Sequence, residues 1–150
     1  MRRSLIACAV AVAAVKSSST QAAEPHRVDP CTEATSSKLL ADKASTNSLL
    51  YEIAGSQFRA CAETFDVTED DVRCDNALKA GNALYKAASL IDGPARSRFI
   101  IVRSYSDAFE AYGVATASCL AERLDRANLG RDAAEGGMRR NGVREWTEGS

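Results

Sequence analysis

The sequence predicts an all-α protein, a small antiparallel bundle of about four helices closed by two disulfides. Three observations carry this. Apolar residues recur at three- and four-residue steps through most of positions 31–130, which keeps them on one face at 3.6 residues per turn. Three turn-like clusters, Ser45 to Ser48, Asp66-Val67-Thr68 and Asp92-Gly93-Pro94, divide that span into four segments. Within it fall Cys31, Cys61, Cys74 and Cys119, an even set of the kind that forms a disulfide framework. A chain of 150 residues is one domain's worth and enough for a real core.

Residues 1–23 read as a signal peptide and stand outside the fold. Arg2 and Arg3 form a charged start, Leu5 to Val15 is an apolar run, and Thr20-Gln21-Ala22-Ala23 offers a small-residue cleavage site. An apolar run this short cannot span a bilayer, which takes roughly twenty residues. Two sharper readings compete with ordinary secretion. Leu5-Ile6-Ala7-Cys8 spells a lipoprotein-type box, and Arg2-Arg3-Ser4-Leu5-Ile6 is similar to a twin-arginine signal. No later stretch is apolar enough to be a transmembrane segment, so the expected location is secreted or periplasmic.

Without Arg2, Arg3 and Lys16 the basic count falls from 19 to 16 against 20 acids, a net charge of −4. That balance speaks against a nucleic-acid or anionic-membrane binder, which wants a basic face. Cys8 leaves with the signal, and four cysteines allow three pairings. Cys61 and Cys74 flank the Asp66 to Thr68 loop about equally, so they are expected to face each other across it. Cys31 is then left to tie the N-terminal arm to Cys119. A metal site is the weaker alternative: no paired C-x2-C spacing occurs, and the single histidine, His26, lies in that arm.

Taken in order, residues 24–30 carry two prolines and read as an extended arm. A first helix begins near Cys31-Thr32-Glu33, with Thr32 or Ser36 as candidate caps and Leu39 and Leu40 on its apolar side. The second covers Leu49 to Phe65, with Leu50, Ile53, Phe58 and Cys61 on or near one face. Thr68 and Asp71 then resemble a capping box, and Glu69, Asp70 and Asp71 sit in a first turn where the helix dipole favours negative charge. The third helix runs to about Leu90 with Val72, Leu78, Gly81, Tyr85 and Ala88. A fourth, long helix is expected from Pro94 to Leu129, marked by Phe99, Val102, Tyr105, Phe109, Tyr112, Thr116, Cys119 and Arg123. Pro94 suits its first turn, and Asn128 and Gly130 supply an ending. Unbroken, it would reach ~54 Å, so a kink near Arg103-Ser104 is expected. Residues 131–150 are rich in Gly and Arg and read as a flexible tail, with Trp146 its one aromatic.

Three stripes share one pattern at 27-residue intervals: Tyr51, Ala54, Phe58, Cys61; Leu78, Gly81, Tyr85, Ala88; and Tyr105, Ala108, Tyr112, Ala115. Small residues let backbones approach and the larger side chains fill between them, as in an up-down bundle. Tyr105 to Ala115, with its alanine, aromatic and alanine, resembles the second helix of a tetratricopeptide repeat, and Ala80-Gly81-Asn82-Ala83-Leu84 the first. About twenty residues take part, and the two segments lie too far apart for one 34-residue unit. The resemblance implies a peptide- or protein-binding groove between helix pairs.

Catalytic motifs are missing from the sequence. With His26 in the arm there is no core Ser–His or Cys–His pair, and no phosphate-cradling glycine loop. No cofactor or metal is expected. Asp66, Glu69, Asp70, Asp71 and Asp75, together with Glu63, form an acidic patch around one loop. It lacks the ligand alternation of a calcium loop and reads as helix capping plus solvated charge, with docking of a cation or basic partner as the functional alternative. Arg96, Arg98 and Arg103 could form an anion site, and the aromatic stripe of Phe58, Tyr85, Phe99, Tyr105, Phe109 and Tyr112 could line a ligand pocket. The expected function is a non-enzymatic binding or interaction module for an unknown protein or peptide. The alternatives are a small hydrophobic-ligand carrier with a cavity inside the bundle, and a tetratricopeptide-like peptide-binding scaffold.

Overall fold

A computed structural model describes residues 29–65 and 70–142. The expected signal peptide, most of the N-terminal arm and the last eight residues lie outside the described residues. Among the described residues the chain forms five helices: α1 Pro30–Lys43, α2 Ser48–Glu63, α3 Asp70–Ile91, α4 Arg98–Ser118 and α5 Ala121–Arg140. Among the described residues there is no strand.

Local chemistry sets the helix starts. Asp29 caps α1 by accepting from the Cys31 N–H at 3.2 Å, with Pro30 at the first helical position, where a missing N–H costs nothing. The cap is therefore Asp29, not Thr32 or Ser36. Asn47 caps α2 by accepting from the Leu49 and Leu50 N–H groups. Pro94 lies in the turn before α4, which begins after Ser97.

The expected long helix is two helices. There is no break at Arg103-Ser104; α4 runs through both and ends at Ser118. Cys119 donates its N–H to the Ala115 carbonyl at 2.8 Å and is held to α3 by a disulfide. Ala121 then takes φ 50°, the left-handed region that costs a non-glycine residue energy, and the chain reverses. Asn128 and Gly130, expected to end a helix, lie inside α5. The flexible tail expected from residue 131 is helical as far as Arg140.

Each helix packs mainly on its chain neighbours, and α5 also touches α3. Contacting pairs run in opposite directions along successive helices, as with Cys31–Cys61 and Asp42–Tyr51 between α1 and α2, so the row is antiparallel. Among the described residues, fourteen of the twenty-three buried hydrophobic ones are alanine. Alanine and glycine faces bring the backbones close, and the bulk comes from Tyr51, Phe58, Leu84, Tyr105 and Tyr112, which are buried between them. Leu39 and Leu40, expected inward, are exposed; α1 buries Ala34 and Ala41 instead.

The disulfides are Cys31–Cys61 and Cys74–Cys119, which corrects the expected Cys61–Cys74 and Cys31–Cys119. Cys61 and Cys74 do lie at the two ends of one loop, but α2 turns Cys61 toward α1 and α3 turns Cys74 toward α4. Each bond thus joins the first residues of one helix to the end of the next, clasping a hairpin at its open end. All four bonded cysteines sit at one end of the bundle. The opposite end is held by the turns at 44–47 and 92–97 and by packing.

Candidate functional site

Helices α2 and α4 both pack extensively on α3, yet hardly on each other. What remains between them is a trough with α3 as its floor. Leu84, Ala87 and Ile91 form that floor, in two pockets of about 430 Å³ each. Glu52, Arg103 and Asp107 line both pockets, so the two are halves of one depression. It runs along the 16 residues of α2, or ~24 Å.

The two halves differ in chemistry. At the disulfide end the walls are polar: Arg59 of α2 bridges the trough to Glu110 of α4 at 2.9 Å and also holds Glu63 at 3.2 Å. These groups are partly exposed, so the bridge contributes at most about 1 kcal/mol and can open. At the other end Leu49, Phe99 and Ile100 line the mouth beside Arg96. Phe99 is 74% exposed and Leu49 59%. Large apolar side chains left in water together, rather than scattered singly, mark an interaction surface.

Both signs of charge line the walls. Arg96 and Arg103 are matched by Glu52 and Asp107. Burial pushes the Asp107 carboxyl above its usual range, against the opposing effect of Arg103. Two of the three arginines expected as an anion site, Arg96 and Arg103, are therefore brought together here, but beside carboxylates; Arg98 does not line the trough.

The acidic patch is partly engaged in holding the fold. Arg123 of α5 pairs with Asp71 and with Asp75 of α3, which ties these two helices at their disulfide ends. Asp70 is exposed; Asp66 and Glu69 lie outside the described residues. Among the described residues no group of three or more His, Cys, Asp or Glu side chains could hold a metal ion.

The aromatic stripe divides between core and surface. Phe58, Tyr105 and Tyr112 are buried, while Phe99, expected inward, is exposed at the trough mouth. The buried tyrosines satisfy their hydroxyls: Tyr105 donates to Asp92 at 2.9 Å and Tyr112 to Asn82 at 2.8 Å. Burial pushes both phenols up to about 12, so they stay neutral through the physiological range. Sequence reasoning missed the trough mouth, though a signal was there. Phe99, Ile100 and Ile101 are consecutive, and three neighbours on a helix cannot share a face; Ile101 is the one buried.

The segments resembling a tetratricopeptide repeat lie on consecutive antiparallel helices, α3 and α4. At 22 and 21 residues, these are longer than two helices of a 34-residue unit can be. Among the described residues no helix is long and apolar enough to cross a membrane. The chain matches no family model, no curated protein and no solved structure.

Proposed function

We propose that the protein is an exported, non-enzymatic binding module that takes a peptide or protein segment in the trough between α2 and α4. The carrying observation is the mouth itself, where Leu49, Phe99 and Ile100 are exposed around one pocket. Apolar anchors with charged rails are the anatomy of peptide-docking grooves, in which a bulky side chain fills the pocket and polar groups set register. A trough of ~24 Å holds about seven extended residues at ~3.3 Å each. The rails favour a segment carrying an aromatic or aliphatic anchor with both signs of charge nearby. For export, the support is the pair of disulfides, which persist in oxidising compartments, together with the character of residues 1–23.

The test is a peptide selection on the mature protein, followed by titration of the selected peptides against the parent, Leu49→Asp and Phe99→Asp. Loss of an apolar anchor is expected to weaken binding about tenfold or more. Amide shift changes should follow α2, α4 and the C-terminal half of α3. Selected peptides that bind both variants as well as the parent would reject the trough. Stabilisation against heat by a small hydrophobic ligand, with no peptide selected, would favour the carrier instead.

A further inference from the structure

At one level the two walls of the trough are joined, and that level sets the register of the rest. Helices α2 and α4 both run antiparallel to α3, so they are parallel to each other. Arg59 of α2 meets Glu110 of α4 across the trough at 2.9 Å, an offset of 51 positions. One heptad back on each helix, two turns or ~10.5 Å, stand Glu52 and Arg103, which line both halves of the trough. Most of a turn before these come Leu49 and Ile100 at the mouth. The walls therefore carry matched rows: apolar against apolar, then acid against base, then base against acid. Only the last row is joined within the chain. Among the described residues neither Glu52 nor Arg103 enters an ion pair.

Such walls are complementary to themselves. A two-fold axis running along the trough sets the α2 wall of a second copy over the α4 wall of the first, parallel and level with it. Each residue then meets the one it faces across the trough in its own chain. We propose that the mouth half of the trough is an isologous interface between two copies of this chain. Leu49 packs on Phe99 and Ile100 of the second copy, and Glu52 pairs with Arg103 of the second copy, twice by symmetry. Charge complementarity selects this arrangement. An axis across the trough at the mouth would set α2 on α2 and α4 on α4, and the acid of one wall would not reach the base of the other. Asp107, level with Ser56 by the same offset, meets a hydroxyl donor and not a second carboxylate. Burial of the exposed apolar side chains drives the association, and the charge pairs fix its register. The inference goes beyond the peptide reading and shares its surface, so a bound peptide and a second copy exclude each other.

Sedimentation equilibrium of the full mature protein tests this, with the parent expected to dimerise reversibly. Glu52→Arg and Arg103→Glu, both at exposed positions, each turn two attractive pairs into repulsive ones. Each should weaken association about tenfold or more with the helical circular dichroism unchanged. Mixed one to one, the two variants bring opposite charges together at both pairs, and a heterodimer about as tight as the parent dimer is expected. A parent that stays monomeric up to about 1 mM overturns the inference. So does a dimer that either substitution leaves intact, which places the contact elsewhere. Failure of mixing to restore association also overturns it, because a pair made within one chain is not repaired by another. The two readings fail separately. A monomeric parent that still selects peptides at the trough rejects the dimer and leaves the peptide site. Restoration on mixing with no peptide selected rejects the peptide site and leaves the dimer.

Discussion

The ring of Tyr105 on α4 lies against the bare backbone of Gly137 on α5, where a Cβ would stand 2.6 Å from its Cδ1 and Cε1. One heptad further along α4, Tyr112 meets Gly130 in the same way. α4 advances seven residues while α5 steps back seven, so the two contacts fix the antiparallel register of this pair. Tyr112 also lies against Gly81 of α3 on its other side, where a Cβ would again stand 2.6 Å from its ring. One tyrosine is thus held between glycines of two helices.

Gly137→Ala and Gly81→Ala are therefore expected to destabilise the protein, each by about 1–3 kcal/mol, the usual cost of overfilling a packed core. Gly113 is the control. It lies within α4 with nothing within 4 Å of its missing Cβ, so Gly113→Ala should add up to about 1 kcal/mol through helix propensity alone. Urea unfolding of the three variants separates the effects by sign. A Gly137→Ala protein as stable as the parent would show that α5 is not seated on α4 in this way.

A non-reducing peptide map is expected to link Cys31 with Cys61 and Cys74 with Cys119. Replacing both members of either pair by serine should cost about 2–5 kcal/mol. The two pairs close loops of 30 and 45 residues, and closure entropy grows only slowly with length, so the two losses should be similar. The thermal midpoints of the two double variants, compared with the parent, test this. A Cys61–Cys74 peptide would remove the hairpin-clasp arrangement altogether.

Period and turn chemistry were enough to show helices, and the three aromatic-and-small stripes do sit at the packing faces of α2, α3 and α4. Partner choice was not legible. Cys61 and Cys74 are equidistant from a loop, but position along the chain does not say which way each helix is rotated, and that rotation decides the pairing. Gly130, Gly136 and Gly137 have poor helix propensity and the Gly- and Arg-rich composition reads as disorder, so residues 131–140, the second half of α5, read as tail. Its helicity comes from tertiary contact: Gly130 and Gly137 are useful because Tyr112 and Tyr105 need their space, and Arg131 lies 4.4 Å above the Phe109 ring. The trough was illegible for a related reason. It is set by the failure of α2 and α4 to touch, which belongs to neither helix's own sequence.

Asp107 gives the trough a pH dependence whose sign can be stated. Burial raises its carboxyl above the ordinary aspartate range; Glu110 and Glu52 push the same way, while Arg103 and Arg59 oppose them. A carboxyl whose folded-state pKa is raised contributes stability that is fully present below the unfolded value and is lost as pH rises through the folded one. At neutral pH the ionised Asp107 is therefore a small liability in the fold. Asp107→Asn should be more stable than the parent at pH 7, by well under about 1 kcal/mol for so accessible a group. The advantage should shrink as pH falls through the folded pKa. Paired urea titrations across that range read the difference directly. An advantage that instead grows on acidification would mean that Arg103 and Arg59 outweigh burial, and that the trough holds Asp107 as an ion-pair partner.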